Sequence, residues 1–131
     1  MIGLDTNVLV RYIAQDDPAQ SRRATELIER QLGPDNPGFV SLIVLVETSW
    51  VLKRAYRLSD SILAAAIERI LQIDALVVQS EQDVFIAMIA LKEGKGSFAD
   101  ALIGAIDARA GCSSTATFDK EAAKLPGFEL L

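Results

Sequence analysis

Residues 1–14 read MIGLDTNVLVRYIA and introduce a pattern that runs through the whole chain. The apolar segment at residues 2–4 is short, which predicts a very short buried strand. In residues 6–14 the apolar side chains recur at helical spacing, so a helix is predicted there. The stretch therefore predicts a strand that leads directly into a helix, with Asp5 at the junction.

The same order of strand and helix is repeated along the chain. Further strands are predicted at residues 39–40, 75–78, 115–118 and 128–130, and further helices at residues 18–32, 42–56, 59–73, 81–92, 98–110 and 120–124. Strands that alternate with helices are typical of a parallel sheet covered by helices on both faces. We therefore expect one domain over residues 1–131, an α/β protein built as a three-layer α/β/α sandwich with a short central parallel sheet.

The composition excludes several classes of protein and of site. With 131 residues, 50% of them hydrophobic, the chain has the size and core of one folded domain and is not disordered. The single cysteine excludes an internal disulfide, and the absence of histidine excludes histidine bases and histidine metal ligands. The longest apolar run, Val84 to Leu91, is too short to cross a membrane. No basic stretch precedes the apolar N-terminus, so we expect no signal peptide and a cytoplasmic location.

The charge of the chain limits how it could contact a nucleic acid. The net charge is −5, so the overall field of the protein repels phosphates. Aromatic residues make up only 6% of the chain, which disfavours modules that bind by stacking on bases. Contact with a nucleic acid would have to be local, through metal ions or through basic clusters. Two such clusters, which could equally be solvated faces, are Arg22, Arg23 and Arg30, and Lys53, Arg54 and Arg57.

Four carboxylates stand out as candidates for chemistry. Asp5 follows the first predicted strand, Asp119 follows the fourth, and Asp100 lies in the first turn of a predicted helix. Open α/β sheets bind ligands beyond the carboxyl ends of their strands, where helices begin. The fourth acid, Glu47, lies inside the apolar stretch LIVLVETSWVL at residues 42–52.

Glu47 is predicted to lie on the buried face of its helix. Its neighbours three and four residues away are Ile43, Val44, Trp50 and Val51, which are all apolar. A buried carboxylate is costly unless a cation or a metal ion pairs with it. A metal is favoured over an arginine or lysine partner, because the chain offers other acids and no histidine. Carboxylate oxygens select Mg²⁺ or Mn²⁺, which suit phosphodiester hydrolysis.

The other three acids also have purely structural explanations. Asp5 could cap the helix that begins at Thr6, and Asp100 could form a capping pair with Ser97. Asp119 could be an exposed acid that is stabilised by the dipole of a nearby helix. Spacing alone leaves these alternatives open.

Four motifs, taken in order, resemble the PIN-domain ribonucleases, and most closely the VapC-type toxins of prokaryotic toxin–antitoxin pairs. The motifs are Leu4-Asp5-Thr6-Asn7, Val46-Glu47 in an apolar helix, Phe98-Ala99-Asp100-Ala101-Leu102-Ile103, and Thr117-Phe118-Asp119-Lys120. The resemblance covers essentially the whole chain.

The resemblance implies a parallel sheet with strand order 3-2-1-4-5 and an endoribonuclease activity that depends on Mg²⁺ or Mn²⁺. It implies catalytic and metal-binding roles for Asp5, Glu47, Asp100 and Asp119. It implies that the acids are supported by the polar residues Thr6, Asn7 and Thr117. It also implies RNA as the substrate, a small VapB-type antitoxin as a partner, and a homodimer, which the apolar content of the helices predicted at residues 59–73 and 81–92 also favours.

Ser97 departs from the family pattern. Many relatives have an acid at this position, three residues before Asp100. Ser97 can support the site by capping the helix or binding water, but it supplies no charge, so a second metal site would be weaker.

Two other functions remain as alternatives. A phospho-accepting receiver-like signalling domain is also a small parallel α/β fold that uses acids and Mg²⁺. Such a domain usually has paired acids after its first strand, whereas here Asp5 is followed by Thr6 and Asn7. The second alternative is a non-catalytic PIN-like binding domain, which the complete set of four acids disfavours.

Overall fold

A computed structural model describes all 131 residues. The strands are β1 (Ile2–Gly3), β2 (Gly38–Val40), β3 (Leu76–Val78), β4 (Thr115–Thr117) and β5 (Phe128–Leu130). The helices are α1 (Thr6–Ala14), α2 (Pro18–Glu26), α3 (Leu42–Arg54), α4 (Asp60–Leu71), α5 (Glu81–Lys92) and α6 (Phe98–Arg109). A π-helical segment at Leu27–Gln31 and a 3₁₀ turn at Ala122–Lys124 complete the regular structure. No helix has both the length and the apolar character that crossing a bilayer requires.

The five strands form two parallel sheets, one of three strands and one of two. Strand β2 lies between β1 and β3, with Phe39 opposite Gly3 on one side and opposite Val77 on the other. Strand β4 pairs with β5, with Thr115 opposite Phe128. The predicted fold class is confirmed, because a small parallel sheet with six helices fits the three-layer α/β/α arrangement. The predicted neighbours 3-2-1 and 4-5 are observed, and no ladder joins β1 to β4.

Core side chains pack closely around Gly38, the first residue of the central strand β2. The protein has one hydrophobic cluster of 23 buried residues. A Cβ added to Gly38 would lie 2.8 Å from Leu32 Cδ1, 2.9 Å from Leu76 Cδ2 and 3.2 Å from Leu4 Cδ1. A side chain at this position would therefore push the three leucines apart, and close-packed cores accommodate such changes poorly.

The helix predicted over residues 18–32 is continuous but changes its winding. Pro18 occupies its first turn, and the Asp17 side chain accepts a hydrogen bond from the backbone of Gln20 at 3.0 Å. The α-helical bonding of α2 ends at Glu26. The chain then continues with wider π-helical bonding, so that the amide of Leu32 bonds the carbonyl of Leu27, at 2.9 Å. Such segments are rare and occur frequently at functional sites.

The β4–β5 pair is held against α6. Thr115 Oγ1 donates a hydrogen bond to Asp107 Oδ2 at 2.8 Å. The ring of Phe128 lies so close to Gly104 that an added Cβ would be 2.6 Å from Phe128 Cε2. Helix α6 carries one candidate acid, Asp100, and the turn after β4 carries another. The packing between α6 and the β4–β5 pair therefore sets how these two acids lie relative to each other.

We expect Gly104→Ala to lower the free energy of unfolding by about 1 kcal/mol. Alanine in a helix interior gains about 1 kcal/mol over glycine, but displacing the ring of Phe128 costs about 1–3 kcal/mol. Urea unfolding measures the difference. The matched control is Gly104→Ala in a Phe128→Leu background, where the smaller side chain leaves room and the alanine should stabilise the protein. Stabilisation by Gly104→Ala alone would show that Phe128 does not hold β5 on α6.

Candidate functional site

The end of β1 supplies the first candidate acid and its link to α3. Asp5 has an extended backbone and caps α1, with its Oδ1 accepting a hydrogen bond from the Thr6 amide at 2.7 Å. Thr6 is only 8% exposed, and its hydroxyl donates a hydrogen bond to Glu47 Oε1. Asp5 therefore has the capping role that the sequence allowed. Thr6, the next residue, links the end of β1 to Glu47, a second candidate acid.

The prediction that Glu47 is buried is wrong. Glu47 is exposed, and it shares its side of α3 with Ile43 and Trp50, which are 80% and 51% exposed. The sequence pattern misled because α3 is apolar on nearly every side, so polarity does not show which side packs inward. The residues that α3 buries are Leu45, Thr48, Ser49 and Leu52.

Glu47 has no cationic partner. None of the ion pairs of the protein includes it, and its hydrogen-bond partner is the hydroxyl of Thr6. The alternative that an arginine or a lysine neutralises Glu47 is therefore not supported. One of its carboxylate oxygens is left without a protein partner.

Asp100 lies in the first turn of α6, as the sequence predicts. The Ser97 hydroxyl caps this helix by accepting a hydrogen bond from the backbone amide of Asp100 at 3.1 Å. The carboxylate of Asp100 takes no part in the cap and makes no hydrogen bond of its own within the protein. Capping is thus done by Ser97, and the half-buried carboxylate of Asp100 is free to bind a ligand.

Asp119 begins the turn that follows β4. Thr117 Oγ1 accepts a hydrogen bond from the amide of Asp119 at 3.0 Å, which shapes the exit from the strand. Asp119 Oδ1 accepts hydrogen bonds from the amides of Glu121 at 2.8 Å and Ala122 at 3.4 Å. Its structural role at the helical turn is therefore present, and its second oxygen remains without a protein partner.

The predicted residues form three small units. These units are Asp5–Thr6–Glu47, Ser97–Asp100 and Thr117–Asp119, while Asn7 is exposed next to the first of them. No hydrogen bond joins one unit to another, and no three acidic side chains form a ready-made metal-binding group. Convergence of all four acids on one ion therefore stays a prediction.

The donor chemistry of the four acids fits a hard divalent cation. Each acid keeps at least one carboxylate oxygen without a protein partner, and none pairs with lysine or arginine. Asp5 and Asp100 lie at helix N-termini, where the helix dipole favours negative charge. Oxygen donors of this kind are the ligands that Mg²⁺ and Mn²⁺ prefer.

Arg11 is a residue that the sequence interpretation missed. Its Nε donates a hydrogen bond to Gln20 Oε1 at 2.7 Å, and its Nη1 donates to Asp16 Oδ1 at 3.2 Å and to the Tyr56 hydroxyl at 3.1 Å. Its position four residues after Asn7, on the same side of α1, was the available signal.

Tyr56 and Asp16, which both bond Arg11, are also joined to each other by a short hydrogen bond. The Tyr56 hydroxyl donates to Asp16 Oδ2 at 2.6 Å. This hydrogen bond, together with the charge of Arg11, lowers the pKa of Asp16. The same hydrogen bond, with the nearby charge of Asp16, raises the pKa of Tyr56. Both groups thus keep their charge states through the neutral range, and the guanidinium of Arg11 stays fixed beside α2.

The sequence profile of the PIN domain family matches residues 2–127. A comparison with curated proteins gives no match.

A double-mutant cycle tests the link between Thr6 and Glu47. Thr6→Val removes the hydroxyl and keeps the shape of the side chain, and Glu47→Ala removes the acceptor. We expect a coupling of about 1 kcal/mol in the free energy of unfolding, the value of one hydrogen bond.

The matched control for this cycle pairs Thr6→Val with Glu68→Ala, whose carboxylate lies on α4 and makes no bond to Thr6. The effects of these two substitutions on the free energy of unfolding should be additive. A coupling below about 0.3 kcal/mol for Thr6 and Glu47 would show that the hydroxyl does not hold the acid in solution.

Proposed function

The chain belongs to the PIN domain family, whose members are generally nucleases that use divalent metal ions, and from this premise we propose that it is a Mg²⁺- or Mn²⁺-dependent endoribonuclease. The observation that carries the proposal is that the four candidate acids lack partners for their charge. Asp5, Glu47, Asp100 and Asp119 have free carboxylate oxygens and no cationic partner. Asp5 and Asp119 follow parallel strands, and uncompensated carboxylates at such strand ends favour a site that binds cations.

In this proposal the four acids hold one or two divalent ions, and neighbouring polar residues position them. Thr6 orients Glu47 through its hydroxyl, Ser97 fixes the first turn of α6, and Thr117 shapes the turn that presents Asp119. A bound divalent ion would lower the pKa of a water molecule and neutralise charge on the phosphate. A carboxylate near that water could accept its proton. Because Ser97 adds no charge, a second ion would be held more weakly.

The biological role that we propose is the toxin of a VapBC-type toxin–antitoxin pair, acting in the cytoplasm and neutralised by a small VapB-type protein. The support for partners is the apolar surface of α4 and α5. Ile62, Phe85 and Ile86 are each about half exposed, although large apolar side chains are usually buried. A homodimer formed through these two helices would cover this surface.

The family match favours this function over a receiver-like domain. A non-catalytic PIN-like domain remains the second candidate, because a fold alone does not establish a reaction. The two differ in whether purified protein cleaves RNA when a divalent ion is supplied.

Asp100→Asn is expected to reduce the rate of RNA cleavage by at least about a hundredfold. The substitution keeps the Ser97 cap, since that bond comes from the backbone amide, and it removes one metal-binding charge. Cleavage of a labelled RNA is measured with Mn²⁺, with Mg²⁺ and with a chelator. The matched control is Asp74→Asn, an exposed aspartate outside the site, which should cleave like the wild type.

Thermal unfolding separates a damaged site from a damaged fold. At a free Mn²⁺ concentration one hundred times its dissociation constant, the wild type should gain about 2.7 kcal/mol of stability. Asp100→Asn should melt like the wild type in chelator and gain less with Mn²⁺. Near-normal cleavage by Asp100→Asn would remove Asp100 from the site. Cleavage that persists in chelator would overturn the metal dependence.

Light scattering at micromolar concentration tests the dimer. We expect a species of twice the 14.2 kDa chain mass. The double variant Ile62→Ser/Phe85→Ser should be monomeric, because it removes exposed apolar surface from both helices. A wild type that runs only at 14.2 kDa would contradict the homodimer.

A further inference from the structure

Helix α1 and helix α2, with the π-helical segment that follows it, line an open cavity of about 710 Å³. We call it the arginine cavity, because Arg11, Arg22 and Arg23 all line it. We infer that this cavity binds the phosphodiester backbone of the single-stranded RNA substrate, next to the site of cleavage. This inference rests on the proposed function and assigns that function a substrate-binding surface.

Two of the three arginines are available to a ligand. Arg22 and Arg23 are exposed, and neither takes part in any ion pair of the protein. The one carboxylate that lines the cavity, Glu26, lies 3.5 Å from Arg30 and is compensated there. The cavity is therefore locally positive in a chain whose net charge is −5, and guanidinium groups bind phosphate oxygens with matched geometry.

The third arginine gives the cavity a rigid wall. Arg11 is bonded on one side to Gln20 of α2 and on the other to Asp16 and Tyr56. Asp16 compensates most of its charge, so Arg11 contributes fixed hydrogen-bond donors more than net charge. Because the Arg11 side chain is already held in place, less conformational entropy is lost when a ligand binds to it.

The cavity reaches Asn7, a chain neighbour of the first candidate unit. Asn7 lines it, and Asn7 directly follows Asp5 and Thr6 in the chain. The four candidate acids would repel a phosphodiester, so a strand that reaches them needs positive charge close by. The unpaired arginines Arg22 and Arg23 supply positive charge in the same cavity that Asn7 lines.

The lining of the cavity indicates what part of the RNA it contacts. The residues that line it include arginine, glutamine and asparagine side chains but no aromatic ring on which a base could stack. Contacts to phosphates carry no sequence information by themselves. The cavity should therefore strengthen the binding of any single-stranded sequence by the same factor, leaving sequence preference to other parts of the protein.

Salt dependence of RNA binding tests the inference directly. Binding of labelled 12-nucleotide oligo(U) and oligo(A) is measured by fluorescence anisotropy in chelator, between 50 and 200 mM KCl. Each phosphate contact to a single strand contributes about 0.7 to the slope of log Kd against log[salt], so Arg22→Gln/Arg23→Gln should lower the slope by about 1.4. Over this range the wild type should lose about sevenfold more affinity than the variant.

A pair of lysines elsewhere on the protein provides the matched control. Lys92→Gln/Lys95→Gln removes the same charge from exposed positions at the end of α5, and this variant should keep the wild-type slope. Equal slopes for the wild type and Arg22→Gln/Arg23→Gln would overturn the inference, as would an equal loss in both double variants. A loss confined to oligo(U) or oligo(A) would also overturn it.

Cleavage, competition and binding together separate the possible failures. If the wild type cleaves RNA and the arginine variant retains the full salt slope, the proposed function stands and the cavity assignment is wrong. If the wild type neither binds nor cleaves RNA, both are wrong. Displacement of the RNA by inorganic phosphate or by polyglutamate at equal charge concentration would show a general anion site or an acidic protein partner, and would overturn the assignment to RNA.

Discussion

The close approach of three leucines to Gly38 is the constraint on which the sheet depends. Leu4 follows β1, Leu76 begins β3, and Leu32 ends the segment after α2, so three parts of the chain meet at one Cα. Because glycine has no Cβ, β2 can pair with β1 and β3 while its first residue is covered by core side chains. This packing fixes the exit of β1 into α1, and it fixes the start of β2, whose far end exits into α3.

The candidate site is built from these exits. Asp5 stands where β1 becomes α1, and Glu47 lies on the helix that leaves β2. A single buried hydroxyl, that of Thr6, joins the two elements. The remaining acids come from α6 and from the turn after β4, which contact each other through Thr115 and Phe128. The four candidate acids thus divide between the two sheets, with Asp5 and Glu47 on elements next to β1 and β2, and Asp100 and Asp119 on elements next to β4 and β5.

Much of the fold could be predicted because its local signals agree with one another. The predicted bounds of α1 and α5 match the structure, and the strands lie within one residue or two of their predicted positions. Capping residues and apolar periodicity depend only on residues a few positions apart in the chain, so they can be recognised in the sequence itself. The positions of Asp5, Asp100 and Asp119 at helix or turn beginnings followed from the same signals.

Features that depend on distant contacts were not predicted. The exposure of Glu47 depends on which side of α3 meets the core, and a helix that is apolar on nearly all sides does not display this. The network of Arg11, Asp16 and Tyr56 joins residues 40 and 45 positions apart in sequence, so local patterns do not display it.

The exposed position of Trp50 gives the protein an optical reporter. It is the only tryptophan in the chain, and it lies one helical turn beyond Glu47 with about half of its surface in solvent. Indole emission responds to the polarity and to the paramagnetic ions in its immediate surroundings. The tryptophan fluorescence of the unlabelled protein therefore comes from a single point one helical turn from Glu47, and a ligand bound there would change the emission spectrum.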